Sequence, residues 1–324
     1  MRPDSRTLIQ WMRKKRSLEE NIYGRPFFKW AGGKNQLLSE FDERLPEDLR
    51  SGVLDRYVEP FVGGGAVFFF IIQLFPIKEA ILCDVNKELI LTYRVVKVDA
   101  ESLICRLKSF QEEYDSLDEQ GRQEMFYRVR DALNEKKTGF EYNIINDTTI
   151  ERAAELLFLN KTCFNGLFRL NSKGGFNVPF GRYKNPDVVH EANLRIASKL
   201  LTNTKIIQGD FSECLQNIND KTFVYIDPPY KPLNKSSGFT SYSEDCFRDE
   251  DQVRLSDFFV QADRIGAKVM LSNSDPKNED PEDEFFDELY KQFRIERVMA
   301  KRIINSVAEK RGAIRELIIM NYSD

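Results

Sequence analysis

Residues 56–74 read RYVEPFVGGGAVFFFIIQL. Arg56 to Phe61 reads as a strand, Gly63-Gly64-Gly65 as a tight turn, and Ala66 to Leu74 as a strongly apolar helix. Strand, glycine loop and helix in that order open an α/β unit. A second strand follows at Ala80 to Cys83 and ends in Asp84, and Asn86 is placed to cap the helix KELILTYRVV. Strand-like runs return at Thr204 to Gln208, ending at Asp210, at Thr222 to Ile226, ending at Asp227, and at Ala267 to Leu271. Upstream, FFKWAGGKNQLL passes from aromatic residues through a Gly-Gly turn into a helix expected to start near Lys34. The expectation is an α/β parallel sheet, interrupted near residue 98 and rejoined near 203.

The interruption differs in pattern. Residues 99 to 160 carry apolar residues at helical spacing (Leu103, Ile104, Leu107, Phe110, Tyr114, then Phe126, Val129, Leu133), which predicts a helical section with a core of its aromatics. Residues 161 to 186 are rich in Asn, Gly, Lys, Arg and Phe and read as an extended, loop-rich recognition segment. The division that follows is an N-terminal extension 1–25, a catalytic and cofactor-binding domain 26–97 with 203–324, and a mostly helical recognition domain 98–202. The extension, with its Arg13 to Arg16 cluster, is either a short helix or a mobile arm.

Composition bounds the chemistry. The chain has 324 residues, 41% hydrophobic and 31% charged, as expected of a globular protein. The longest apolar run, Ala66 to Ile72, is far short of the roughly 20 residues that cross a bilayer, and the charged N-terminus lacks an export signal, so a cytoplasmic location without a membrane partner is expected. Five scattered cysteines without a C-x-x-C spacing predict free thiols, and a single histidine, His190, read as surface or packing, excludes a multi-histidine metal site. No metal is expected. The net charge of -4 hides a local asymmetry: residues 161–205 hold Lys161, Arg169, Lys173, Arg182, Lys184, Arg195, Lys199 and Lys205 against only Asp187 and Glu191, whereas residues 243–290 are strongly acidic. A basic island in an acidic chain fits one anionic partner docking at one place, or else a solvated charged face.

In an open parallel sheet, ligands lie beyond the carboxyl ends of the strands. Glu59, the glycine loop, Asp84, Asp210 and Asp227 all fall there. Asp84 stands after the second strand at the spacing from Gly64 that lets a carboxylate reach a ribose hydroxyl, yet the glycines are not G-x-G-x-x-G. The combination suits a nucleoside cofactor without a diphosphate, such as S-adenosylmethionine; a glycine loop kept for close strand-helix packing is the alternative. The sharpest signal is Asp227-Pro228-Pro229-Tyr230, directly after TFVYI. An exocyclic adenine amine is a poor nucleophile because its lone pair is delocalised into the ring. Acceptors such as the Asp227 carboxylate and the Pro228 carbonyl can draw on the amine hydrogens and localise that pair. The two prolines fix φ and stiffen the turn, and Tyr230 offers a face for a purine.

FFKWAGGK, YVEPFVGGGAVFF, CDVNKELI, FLNKTCFNGLFRLNSKGGFNVPFGRYKNP, IIQGDFSEC, VYIDPPY and RGAIRELIIMNY occur in this order from about residue 26 onward. In them the chain resembles the Dam family of DNA adenine N6-methyltransferases. The resemblance implies a Rossmann-like methyltransferase sheet with an inserted recognition domain, and direct in-line transfer from S-adenosylmethionine to N6 of an adenine flipped out of duplex DNA. It places Asp227, Pro228, Pro229 and Tyr230 at the target base. Trp30, Lys34, Phe61, Gly63, Asp84, Asp210, Phe211 and Asp227 fall at the methyl donor. It puts Phe164 and Asn165 where side chains enter the duplex, Leu167 and Arg169 where bases are read, and Pro179 against a thymine methyl, with Lys161, Lys173, Arg182 and Lys184 on phosphates. Arg169 is the natural guanine reader. The segment looks most like that of members that methylate GATC. A mobile loop over the target base is expected near Ser241-Tyr242.

Three rivals have their discriminators in the sequence. Methylation of another planar amine, in RNA or on a glutamine side chain, would not need the recognition segment. A DNA-binding regulator without activity would not need intact Asp227 to Tyr230, Trp30 and Lys34. A nicotinamide dehydrogenase would need a diphosphate site that is not apparent. Both a restriction-modification role, beside a cognate restriction endonuclease, and a stand-alone role remain open at this point.

Overall fold

In the computed structural model, residues 4–13, 23–135, 139–230, 247–301 and 313–323 are described. The chain begins with α1 (Ser5–Arg13), a 3-10 turn at Lys34–Gln36, α2 (Leu38–Asp42), α3 (Glu47–Arg50), β1 (Arg56–Glu59), α4 (Ala66–Leu74), β2 (Glu79–Asp84) and α5 (Lys87–Val98). There follow α6 (Ala100–Ser116), α7 (Glu119–Glu135), α8 (Asp147–Thr162), a 3-10 turn at Phe164–Gly166 and α9 (Glu191–Leu200). The sheet then resumes with β3 (Thr204–Gln208), β4 (Thr222–Ile226), α10 (Asp249–Ile265), β5 (Lys268–Ser274), α11 (Phe285–Leu289), β6 (Arg294–Lys301) and β7 (Ala313–Met320).

The seven strands lie in the order β3-β2-β1-β4-β5-β7-β6. The first five are parallel, with Val58 beside Ile81 on one flank and Val224 on the other. Both faces are covered, which is why every residue of TFVYI is buried and no alternation shows. β7 runs antiparallel between β5 and β6, a pairing the sequence reading did not anticipate. The topological switch lies between β1 and β4, so the ends of those strands frame the crevice where ligands bind in such sheets. Asn86 caps α5 as expected, its Oδ1 accepting from the amides of Glu88 and Leu89 at 3.1 Å.

The helix expected at Lys34 is instead one 3-10 turn followed by the short α2. A tightened first turn is common at helix starts, and here it accompanies a Lys34 side chain that folds back to Gly32 O at 3.1 Å. Part of the N-terminal extension is helical, with Leu8 and Ile9 of α1 buried and the helix packed on α2, α4 and the Lys34 turn. Lys14 to Arg16 and the expected loop at Ser241-Tyr242 lie outside the described residues.

From Ala100 to Thr162 the chain is mostly helical, as its periodicity predicts. α8 is buried along most of its length and packs on α5, α6 and α7, so its apolar residues join those under the sheet in one core. Among the described residues no helix is long and apolar enough to cross a membrane, and no group of metal-ligating side chains is found. Cys83, Cys105, Cys163 and Cys214 are free. His190 is half-buried at the start of α9 at φ 42°, where its ring meets Arg25.

Candidate active site

The carboxyl end of β4 delivers Asp227. Its Oδ1 takes Lys34 Nζ at 2.8 Å and Ser272 Oγ at 3.4 Å, and among the described residues no side chain engages Oδ2. Burial lifts the Asp227 carboxyl above the usual carboxylate range, against the pull of the Lys34 ammonium. Pro228 is buried and its carbonyl takes no hydrogen bond from the described residues, while the Pro229 carbonyl accepts from Gln252 Nε2 at 3.4 Å. Two acceptors, one anionic and one neutral, thus stand side by side in a stiff turn.

Tyr230 is held as firmly as Asp227. Its hydroxyl accepts from Lys34 Nζ at 2.5 Å and donates to Glu316 Oε2 at 2.8 Å, and the ammonium lies 4.5 Å from the ring centroid. Lys34, only 5% exposed, therefore ties the KWAGGK turn to the start and the end of the Asp-Pro-Pro-Tyr turn. Ser272 on β5 and Glu316 on β7 belong to this cluster and were missed from sequence.

Beside it, a second group gathers around the glycine loop. Gly63 sits at φ +46°, and a Cβ there would come within 2.9 Å of Trp30 Cδ1, so loop and indole touch only because the residue is glycine. Asp84 accepts the Gly63 amide on Oδ2 at 3.1 Å and the Asn86 amide on Oδ1 at 2.9 Å, and burial raises its pKa against these two bonds. Phe61 and Phe211 lie with ring centroids 5.4 Å apart. Asp210 takes Ser212 N at 3.1 Å, Ser212 Oγ at 2.6 Å and Arg254 at 2.9 Å all on Oδ1, which leaves Oδ2 without a partner among the described residues. Paired apolar rings and an oriented carboxylate beside the glycine loop have the chemistry that a nucleoside needs, and no cluster of cations for a diphosphate gathers there among the described residues.

The remaining predicted residues lie together on another part of the chain. Bridges Cys163–Phe180 and Leu170–Phe176 fold residues 163–180 back on themselves, and the Phe164 amide bonds to Pro179 O at 2.8 Å. Phe164, Asn165, Arg169, Pro179 and Arg182 are exposed; Lys161 and Leu167 are half-buried. Phe164 is 52% exposed, which is unusual for a phenylalanine, and Asn165 holds φ 56°. Arg169 donates from Nε to Asn177 Oδ1 at 2.8 Å and from a terminal nitrogen to Asn177 O at 3.2 Å, which orients its fork; Asn177 was missed from sequence. Burial and the neighbouring Lys29 bring the Lys161 pKa down to about 8.

Comparison with known proteins agrees with this chemistry. Residues 30–304 match the family described as D12 class N6 adenine-specific DNA methyltransferase. The chain is 50% identical over 299 residues to Type II methyltransferase M.MjaIII of Methanocaldococcus jannaschii, a match covering 92% of this chain and 99% of that protein. It is 40% identical over 302 residues to Type II methyltransferase M1.LlaDCHI of Lactococcus lactis, covering 93% and 96% of the two chains. With the DNA adenine methylase of Escherichia coli it shares 31% identity over 296 residues, covering 91% and 95%. A match over most of the chain, together with relatives similar along nearly their whole length, establishes that the protein belongs to the D12 class of N6 adenine-specific DNA methyltransferases, a membership that implies the use of S-adenosylmethionine.

Proposed function

We propose that this enzyme methylates adenine within GATC in duplex DNA, as the modification half of a restriction system. The observation that carries the catalytic part is that Asp227 is held through Oδ1 alone among the described residues, which leaves Oδ2 and the carbonyl of the next residue, Pro228, as acceptors in one stiff turn. They accept the two hydrogens of a flipped adenine amine, and Tyr230, anchored through its hydroxyl, presents its ring to the base. Trp30, Lys34, Phe61, Gly63, Asp84, Asp210 and Phe211 hold the methyl donor, Asp210 Oδ2 at its purine and Asp84 near its ribose. When bound, S-adenosylmethionine supplies an electrophilic methyl group on its sulfonium sulfur. The protein's part is orientation and acceptance of hydrogen bonds.

Residues 98–202 serve as the recognition domain, with 26–97 and 203–324 as the catalytic one and 1–25 an extension. Phe164 and Asn165 enter the duplex, Leu167 and Arg169 read bases, Pro179 meets a thymine methyl, and Lys161 and Arg182 contact phosphates. The type II designation of the relatives at 50% and 40% identity supports partnership with a cognate endonuclease. Tritiated S-adenosylmethionine offered with GATC, GATATC and site-free duplexes tests the reading: label confined to adenine in GATC is expected. Label in another site would leave the chemistry standing and overturn the specificity. Arg169→Ala is expected to cost about 1–3 kcal/mol of discrimination for guanine over other bases at its position. Equal rates of loss on cognate and substituted sites would remove Arg169 as the reader.

The raised Asp227 pKa has a consequence in acid. Only the ionised carboxylate is a full acceptor, so the single-turnover rate should fall as pH drops, with a midpoint above the value of about 4 for an ordinary aspartate. Lys34→Met removes the opposing cation and should move that midpoint higher still, whatever it does to the maximal rate. A midpoint that stays put or moves down would mean that the acid limb belongs to another group.

A further inference from the structure

The recognition segment and the donor pocket share a wall. Asn160, fully buried near the end of α8, accepts the Lys29 amide on Oδ1 at 2.8 Å and donates from Nδ2 to Lys29 O at 2.9 Å and to Gly166 O at 3.1 Å. One side chain thus ties the irregular stretch entering Trp30 to the Phe164–Gly166 turn. Gly166, at φ +63°, lies against the aliphatic carbons of Lys29, where no other residue has room. The next contact is larger: the Phe168 ring stacks on the Trp30 indole, centroids 5.2 Å apart and planes 24° from parallel. The same indole rests on Gly63, and Gly64 lies against the Cβ of Trp30. Phe168 also meets Phe176 across the segment, at 6.0 Å and 62°. Its neighbour Arg169 is exposed.

We propose that Phe168 and Asn160 are positioning residues that link the two ligands: seating the recognition segment on its duplex moves Phe168 against Trp30, and so sets the affinity for the methyl donor. This rests on the reading that Trp30 lines the donor pocket and that residues 163–182 take the DNA. Packed rings transmit small displacements because a filled core has few alternative arrangements. Thermodynamic reciprocity then requires the donor to change duplex affinity by the same factor.

The test is calorimetric titration of S-adenosylhomocysteine, an unreactive stand-in for the donor, into the full chain alone, with saturating GATC duplex and with a site-free duplex. For the wild type, the cognate duplex is expected to shift the dissociation constant by about fivefold or more and the site-free duplex by much less. Phe168→Ala should bring the cognate shift to within about twofold of none, and Phe168→Tyr, which keeps the stacked ring, should restore it. If Phe168→Ala lowers the melting temperature, Phe168→Leu, apolar but not planar, takes its place with the same expectation. A wild type without a shift, or an undiminished shift in the alanine or leucine variant, overturns the proposal. Trp30→Ala separates the two levels: unchanged donor affinity in that variant would refute the placement of Trp30, whereas weakened affinity with intact coupling in the Phe168 variants would refute only the linkage.

Discussion

Asp227→Ala will lower the single-turnover rate of methyl transfer by about 10²–10⁴-fold while the protein still binds duplex DNA. The argument begins with the substrate. The adenine amine gains nucleophilicity only as its lone pair leaves conjugation with the ring, and that rehybridisation is stabilised by acceptors already fixed where the amine hydrogens will point. Asp227 brings the only carboxylate of the Asp-Pro-Pro-Tyr turn, and its geometry is set before substrate arrives by Lys34 and Ser272 on a single oxygen. Alanine removes the acceptor and leaves Lys34, 5% exposed, with the neutral partners Gly32 O and Tyr230 Oη among its described contacts. Asp227→Asn should fall between alanine and wild type, since an amide oxygen still accepts but without charge. DNA binding, which we propose rests mainly on residues 161–182, should change little. Rapid-quench assays with filter binding on the same preparations decide the matter. A variant that loses duplex binding in step with rate, or that methylates normally, would remove Asp227 from the chemistry.

How far the site was legible depends on how local its determinants are. AVFFFIIQL became α4 to the residue because Gly65 and the Phe75-Pro76 pair close it at both ends. TFVYI and the carboxylate after it were equally plain, since a short apolar run that ends in a charged residue and two prolines has few other uses. Lys34, Asp84 and Asp227 came out beside the glycine loop or each other for the same reason: each follows directly from a strand end or a turn. Ser272 and Glu316 could not be found this way. Their side chains reach the site only because β7 pairs antiparallel with β5, in a register that sets Glu316 opposite Ser274, and a slip of one residue would turn every side chain to the other face. Arg294 to Lys301 shows no clean alternation, and nothing local specifies that its partner strand inserts between it and β5. Phe168 fell inside the segment read for DNA contact and Asn160 at the end of the helical section before it. Their contacts instead point inward, and that direction is a property of packing rather than of residue type.

Arg152→Met will destabilise the fold by about 3–5 kcal/mol, and the Arg152→Met, Glu88→Leu double variant will recover much of the loss. Arg152, on α8, is 1% exposed. Its Nε and one terminal nitrogen grip Glu88 at 2.8 and 2.6 Å, the other terminal nitrogen reaches Leu133 O at 3.0 Å, and the guanidinium lies 4.6 Å from the Phe140 ring centroid. The Tyr142 hydroxyl gives Glu88 a further bond at 2.6 Å. Burial works against the Arg152 charge, yet the bidentate carboxylate outweighs it and raises the guanidinium pKa. Taking away the cation strands a carboxylate that is 8% exposed, with Tyr142 as its remaining described side-chain donor, whereas removing both charges leaves apolar volume in a mostly apolar place. Urea unfolding followed by circular dichroism measures both variants. Equal destabilisation of the single and double variants would show that the pair contributes packing rather than charge compensation. The location gives the pair a second effect: Glu88 stands in the first turn of α5, directly after the Asn86 cap and Asp84. On the proposed placement of Asp84 at the methyl donor, loosening α8 from α5 should therefore also weaken donor binding in the single variant, and the double variant should regain donor affinity together with stability, because one helix start adjoins Asp84 and is tied to the helix that leads into residues 163–180.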